Sequence, residues 1–116
     1  MRHLNKKKIL DRNKAGRRAL LANLAESLIL YEKIKTTKAK ARVLKSLVEK
    51  MVTTAKKNNL ASRRALISKL YTKNAVKKLM EVLGPRYAET KGGYTRMIML
   101  KNRIGDGAEE AIIEFV

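Results

Sequence analysis

The hydrophobic pattern of this 116-residue chain changes its period at a single place, the dipeptide Gly84-Pro85. Before it, apolar residues recur at spacings of three and four, which is the period of amphipathic helices. After it, residues 94–103 and 111–116 are rich in the long, aromatic and β-branched side chains that are typical of strands. A group of helices followed by a pair of strands predicts an α+β fold.

About four helices are expected before this change of period. The first begins near Asn13, a favourable N-cap residue, and carries leucines at four-residue spacing. The other three are expected over residues 38–57, 61–70 and 73–83. The helix over residues 61–70 should bury Ala65, Leu66 and Leu70. Because glycine just past a helix and proline after it form a termination signal, the last helix is expected to end at Gly84-Pro85.

A small mixed sheet is expected to complete the fold. Residues 32–37 alternate and are β-branched, which indicates a strand, and Gly105-Asp106-Gly107 is a turn signal between the last two strands. Those two strands therefore form a C-terminal hairpin. Because an isolated two-stranded hairpin is only marginally stable, it should recruit the 32–37 strand and pack on the long helices.

Charge is distributed unevenly along the chain. There are 28 Lys and Arg against 10 Asp and Glu, a formal net charge of +18, and residues 1–18 hold eight of the bases with one acid, Asp11. Residues 104–116 hold four acids and no base. Because so large a charge repels itself in a compact state, we expect a polyanion on one face. We predict an extended basic arm over residues 1–12 and a single α+β domain over residues 13–116.

The reactive side chains argue against catalysis. A single His and no Cys leave no thiolate or His-rich metal site and no cysteine nucleophile. The glycine-rich segment 91–95 lacks the Gly-Lys-Ser/Thr ending of a phosphate-binding loop. The longest apolar stretch, residues 19–31, is interrupted by polar residues and is too short to span a membrane. We expect no enzyme activity, cofactor, metal, small-molecule substrate or membrane partner.

Clusters of basic residues are the positive signal. Arg17-Arg18 and Arg63-Arg64 each place two guanidinium groups at the start of a helix, where the helix dipole also favours phosphate. The basic arm can become ordered along a phosphate backbone. Scattered clusters of this kind favour structured RNA, which is recognised largely through its shape and phosphates. A helix-turn-helix DNA-binding module over residues 61–83 and a membrane-surface protein are the alternatives.

The four tyrosines are expected to have two different roles. Tyr87 and Tyr94 are the aromatic residues nearest to cationic positions, so we expect them to stack on unpaired bases. Tyr31 and Tyr71 are expected to pack at the edge of the core instead.

Four blocks of sequence carry a resemblance to a known family. They are Met1-Arg2-His3, Ile34-Lys35-Thr36-Thr37, Leu83-Gly84-Pro85-Arg86-Tyr87-Ala88 and Gly92-Gly93-Tyr94-Thr95-Arg96, with Gly105-Asp106 before a closing strand. In this order and spacing the chain resembles the bacterial-type large-subunit ribosomal protein family seventeen (L-seventeen). The resemblance covers essentially the whole chain, and the blocks are specific when taken together.

The resemblance implies a structural constituent of the large ribosomal subunit that takes part in translation. It implies contacts with large-subunit ribosomal RNA and neighbouring ribosomal proteins near the nascent-chain exit region, and a cytoplasmic location in the ribosome, with an organellar ribosome left open. The basic clusters and the resemblance together give the following predicted RNA-binding residues: Arg2, His3, Lys6, Lys7, Lys8, Arg12, Lys14, Arg17, Arg18, Lys35, Thr36, Thr37, Lys38, Arg63, Arg64, Arg86, Lys91, Gly92, Gly93, Tyr94 and Arg96.

Overall fold

The computed structural model of the chain describes residues 9–116. Arg2, His3, Lys6, Lys7 and Lys8 of the predicted arm lie outside the described residues. The elements in chain order are α1 (Lys14–Tyr31), β1 (Lys33–Thr37), α2 (Lys38–Lys56), α3 (Leu60–Lys69), α4 (Lys73–Lys78), a π-helical turn (Leu79–Leu83), α5 (Gly84–Arg86), β2 (Thr95–Met99) and β3 (Glu110–Phe115). The predicted α+β class is confirmed.

Asparagine side chains determine where two of the helices begin. The Oδ1 atom of Asn13 accepts a 2.7 Å hydrogen bond from the Gly16 N–H and starts α1, as the sequence predicts. The Oδ1 atom of Asn59 accepts one of 2.8 Å from the Ser62 N–H and starts α3. Glu32 has left-handed backbone geometry, with φ of 63°, and this ends α1 and turns the chain into β1.

The sheet has the strand order β1-β3-β2, so the closing hairpin does recruit the strand that follows α1. Both strand pairs are antiparallel, which corrects the expectation of a mixed sheet. The reason is that β3 occupies the centre and runs antiparallel to both neighbours, while β1 and β2 do not pair with each other. Ile113 of β3 is fully buried between Ile34 of β1 and Met97 of β2, and this side of the sheet faces the helices.

The core forms along the inner stripe of α2, which packs against α1, α3, the π-helical turn and the sheet. Leu44, Val48 and Val52 in this stripe are fully buried, as their helical spacing predicts. The helix α3 buries Leu66, but Ala65 is exposed, so that part of the expectation is wrong. The physical reason is that α3 touches the core along only one narrow row of residues.

Gly84 and Pro85 do not end the last helix, contrary to the prediction. The Gly84 N–H donates to the Leu79 carbonyl five residues back, and the backbone stays helical through α5. A Cβ atom on Gly84 would lie 3.1 Å from the Leu79 oxygen and 3.3 Å from the Ala55 oxygen in α2. The glycine therefore permits two backbones to approach closely, and Pro85 falls in the first turn of α5, where its missing N–H is tolerated.

Candidate nucleic-acid interface

The outer side of the sheet neutralises much of its own charge. Glu114 in the central strand lies 2.8 Å from Arg96 of β2 and 3.8 Å from Lys33 of β1, in one row across all three strands. The hydrogen bond from Arg96 lowers the pKa of Glu114 from its ordinary value. Next to the sheet, Lys38 pairs with Glu109 at 3.3 Å. Two of the predicted RNA-binding residues, Arg96 and Lys38, are thus engaged within the protein.

A second cluster of ion pairs lies at the end of α1. Glu32 pairs with Arg86 of α5 and, at 3.1 Å, with Lys78 of α4. The hydrogen bond from Arg86 lowers the pKa of Glu32 from 4.5 to about 2, and Lys78 contributes in the same direction. Arg86, another predicted RNA-binding residue, therefore joins the last helical turns to the start of the sheet.

Two further carboxylates are occupied by groups other than cations. Glu26 of α1 is buried and its Oε1 atom accepts hydrogen bonds from the backbone N–H groups of Tyr71 and Thr72. The Oε1 atom of Glu49 accepts one of 3.2 Å from the Thr95 hydroxyl group. These two acids hold the backbone before α4 and the start of β2 in place, and neither forms an ion pair in the described part of the chain.

A cluster of cations without carboxylate partners in the described part of the chain lies where α1 meets α3. Lys14, Arg17 and Arg18 follow one another along one side of α1, and Lys69 at the end of α3 lies beside them. We call these four residues the α1–α3 corner. None of the four forms an ion pair with a carboxylate among residues 9–116. The Arg18 guanidinium donates a 3.2 Å hydrogen bond to the Ser68 carbonyl, which restricts its orientation.

A hollow of about 320 Å³ opens between the four cations of the corner. Its floor consists of Leu21 and Ala22 of α1 with Leu47 and Met51 of α2. The sequence predicts three of the four cations, because residues 14, 17, 18, 21 and 22 share one side of a helix. It does not predict Lys69 or the hollow, because these depend on how three separate helices meet.

The structure divides the other predicted residues among separate places. They lie before α1 (Arg12), in the first turns of α3 (Arg63, Arg64), along β1 and the start of α2 (Lys35, Thr36, Thr37, Lys38), and in the segment from α5 to β2 (Arg86, Lys91, Gly92, Gly93, Tyr94, Arg96). Arg63 and Arg64 are exposed and form no ion pair in the described part of the chain. Gly92 and Gly93 both have positive φ, so this loop requires glycine.

The rings of Tyr87 and Tyr94 belong to the core. They are 5% and 2% exposed, and their centroids lie 5.3 Å apart. The Tyr94 hydroxyl forms hydrogen bonds with Thr53 and Lys56, and these lower the pKa of Tyr94, Thr53 having the larger effect. Neither ring lies at the surface where a base would stack, and the RNA contact of Tyr94 stays a prediction.

Tyr31 and Tyr71 have the opposite environment. Their side chains are 75% and 61% exposed, so the prediction that they pack at the edge of the core is wrong. Tyr31 is the last residue of α1, and Tyr71 lies in the short connection between α3 and α4. Local periodicity does not reveal that no other element within residues 9–116 covers these two positions.

The described residues contain neither a membrane-crossing helix nor a metal cluster. Within residues 9–116, no helix combines the length and the apolar character that crossing a membrane requires. Over the same range, no three or more His, Cys, Asp and Glu side chains come together in a group that could hold a metal ion.

Comparison with the sequences of known proteins assigns this chain to a family. The sequence model of the family described as "Ribosomal protein L17" matches residues 20–116, most of the chain. The chain belongs to the ribosomal protein L17 family. The matched residues include all of β1, α2, α3 and the sheet, and most of α1. The resemblance predicted from the four sequence blocks is therefore confirmed.

Individual relatives extend the match to the basic N-terminal residues. The chain is 49% identical over 116 residues to a protein of Rickettsia bellii (strain OSU 85-389), covering 100% of this chain and 82% of the relative. It is 50% identical over 117 residues to one from Hydrogenobaculum sp. (strain Y04AAS1), covering 100% and 99%. A relative from Natranaerobius thermophilus is 51% identical over 109 residues, covering 94% and 96%. Each is named "Large ribosomal subunit protein bL17".

Proposed function

We propose that this chain is a structural constituent of the large ribosomal subunit, where it binds ribosomal RNA and neighbouring ribosomal proteins and takes part in translation. The proposal is supported by membership of the L17 family and by relatives that are named as large-subunit proteins. Its role is structural and not enzymatic, and its location is the ribosome in the cytoplasm. The main observation that supports binding to RNA phosphates is that the cations of the α1–α3 corner have no carboxylate partners in the described part of the chain.

The corner is suited to phosphate for three reasons. Its four cations have no carboxylate partners among residues 9–116, so phosphates bind without first breaking an ion pair. Lys14 and Arg17 lie in the first turns of α1, where unpaired backbone N–H groups also attract anions. Arg18 is already oriented by the Ser68 carbonyl, so less side-chain freedom is lost when RNA binds.

The other predicted RNA-binding residues differ in how much positive charge they can contribute to RNA binding. Arg63 and Arg64 are exposed and unpaired in the described part of the chain, so they contribute nearly full charges. Lys38, Arg86 and Arg96 already have carboxylate partners and contribute less. Residues 1–12 form the basic arm of this proposal, and residues 13–116 form its single RNA-binding domain.

The hairpin side of the molecule faces away from RNA in this proposal. The ion pairs of Glu109 and Glu114 cancel the cations beside β3, and Glu110 adds a further acid there, so this side keeps little positive charge for phosphate. We therefore place solvent or a basic neighbouring ribosomal protein on that side. Crosslinks from Glu109 or Glu110 directly to RNA would contradict this orientation.

Sedimentation with the large subunit tests the function. We expect the chain to remain with large subunits after a high-salt wash, and free chain to prefer large-subunit RNA fragments over duplex DNA in competition. With about 6–10 phosphate contacts, the affinity for RNA should fall by about 10³–10⁵ between 50 and 200 mM salt. A preference for duplex DNA would favour a DNA-binding module, and release of the chain by the wash would contradict a structural role.

A further inference from the structure

The hollow of the α1–α3 corner combines an apolar floor with a charged rim. Leu21 and Leu47 are half-buried, and Ala22 and Met51 are almost fully buried, so the floor is aliphatic and belongs to the packed interior. A volume of about 320 Å³ is near the lower end of the range for pockets that hold small molecules. The hollow is therefore large enough for one ring system and too small for a helix.

The rim of the hollow supplies positive charge from two directions. Lys14, Arg17 and Arg18 line it from α1, and Lys69 lines it from α3 on the other side. None of the lining residues is acidic. A ligand that complements both the apolar floor and the cationic rim must have a flat apolar surface with negative charge close to its edge.

We propose that this hollow receives a single unpaired nucleotide of ribosomal RNA, with its base on the aliphatic floor and its flanking phosphates on the four rim cations. The inference rests on the proposed function and deepens it, because it assigns a site for a base to a surface otherwise suited only to phosphate. An unstacked nucleotide has the required chemistry, since its faces are apolar and each neighbouring phosphate carries a charge. Arg18, held by Ser68, presents its guanidinium at the edge of the site.

Two RNA hairpins that differ only in one bulged base isolate the contribution of that base to binding. One short hairpin carries a single bulged 2-aminopurine, and the other has the same stem without the bulge. We expect the full chain to bind the bulged hairpin about fivefold more tightly, the factor at the lower end of the range for a base on an aromatic side chain, because the aliphatic floor excludes water from one face of the base but offers no ring. The fluorescence of the 2-aminopurine should change on binding as the base leaves solvent.

Variants that fill the hollow provide the critical comparison. Ala22→Leu and Ala22→Met each extend an aliphatic side chain from the floor into the hollow and keep all four cations. We expect both to abolish the preference for the bulged hairpin while changing the affinity for the plain hairpin less than twofold. Asn23→Leu is the matched control, because Asn23 is exposed, follows Ala22 and does not line the hollow. Thermal unfolding identifies any variant that does not fold, and the second filling variant then replaces it.

The result separates this inference from the proposed function. Equal binding of both hairpins by the unchanged chain, or a preference that survives both filling variants, would overturn the base site while leaving RNA binding intact. Absence of salt-dependent binding to either hairpin would overturn RNA binding itself.

A photocrosslink made inside the ribosome tests the same site in its assembled setting. A diazirine analogue of leucine at position 47, in large subunits that contain the full chain, should crosslink to one ribosomal RNA nucleotide through its base. The same analogue at position 46 should not give that product. Crosslinks from position 47 to protein only would assign the hollow to a peptide of a neighbouring protein and overturn the proposal, and the absence of any crosslink would also overturn it.

Discussion

Glu26 and Thr72 join α1 to the start of α4 through a hydrogen bond of 2.9 Å, from the Thr72 N–H to the Glu26 Oε1 atom. The same oxygen accepts a second bond from the Tyr71 N–H at 2.5 Å. Thr72 occupies the N-cap position of α4, but its own side chain makes no capping bond. A carboxylate 46 residues earlier in the chain therefore holds the connection that positions α4 against α1.

Removal of this carboxylate should destabilise the fold. Glu26→Ala leaves two partly buried N–H groups without their acceptor, and we expect a loss of about 1–3 kcal/mol in the free energy of unfolding. Glu26→Gln keeps an acceptor oxygen and should lose less than half as much. Asn23→Ala, at an exposed position on the same helix, is the control. Urea denaturation measures all three, and equal losses for Ala and Gln at position 26 would contradict the role of the acceptor.

The close approach of Gly84 to α2 predicts a second effect on stability. Gly84→Ala adds a methyl group 3.1 Å from the Leu79 carbonyl oxygen and 3.3 Å from the Ala55 carbonyl oxygen. Both oxygens are backbone atoms that cannot move independently. Overpacking of this kind costs about 1–3 kcal/mol, which should exceed the gain of about 1 kcal/mol from replacing a helical glycine. Thermal unfolding should show a lower Tm for the variant.

Gly16 in α1 provides a matched comparison for the stability change at Gly84. The added methyl group of Gly16→Ala would lie 3.1 Å from the Oδ1 atom of Asn13, a side-chain atom that can shift. We therefore expect a change close to zero, as the gain in helix propensity offsets a weaker cap. Equal destabilisation by both substitutions would show that close backbone packing at Gly84 is not the cause.

Features that depend on local sequence could be predicted. The stripe on α2, the cap at Asn13 and the strand after α1 follow from periodicity, a side-chain acceptor and β-branching, and each involves residues close together in the chain. The family could be recognised because its sequence blocks keep their order. The structure bears out the stripe, the cap and the strand because no distant contact overrides them, and the comparisons bear out the family.

Features that depend on distant contacts could not be predicted. Gly84-Pro85 carries a helix-ending signal, but the Ala55 carbonyl of another helix is what requires a glycine there. The two pairs of tyrosines have the reverse of their expected burial, because burial depends on which elements cover a position. The hollow at the α1–α3 corner needs three helices to meet, and Lys69 joins it from a helix whose own sequence gives no sign of the site.

The low pKa of Glu32 makes part of the stability depend on pH. Arg86 lowers this pKa to about 2 in the folded chain from 4.5, so between these values the unfolded chain binds a proton that the folded chain does not. The contribution of Glu32 is therefore complete above about pH 4.5 and is lost as the pH falls towards 2. Because its side chain is 37% exposed, solvent screening keeps the contribution small.

Comparison of Glu32→Gln with the unchanged chain measures this contribution. We expect the variant to be less stable at pH 7 and the difference to shrink steadily between pH 4.5 and pH 2, as followed by urea unfolding. Glu89→Gln is the control, because Glu89 is exposed and forms no ion pair among residues 9–116. A stability difference for Glu32→Gln that does not change with pH would contradict the role of the charge.

A comparison of Arg17 with Arg96 measures how much an ion pair within the protein reduces the contribution of an arginine to RNA binding. Arg17 at the α1–α3 corner has no carboxylate partner in the described chain, whereas Arg96 is held at 2.8 Å by Glu114. Arg17→Gln and Arg96→Gln remove the same charge, so a long-range effect of net charge would be equal for both. We expect Arg17→Gln to reduce the slope of log affinity against log salt by about 1, and Arg96→Gln to reduce it by clearly less. Equal reductions in a filter-binding salt titration would show that the ion pair with Glu114 does not withhold Arg96 from RNA.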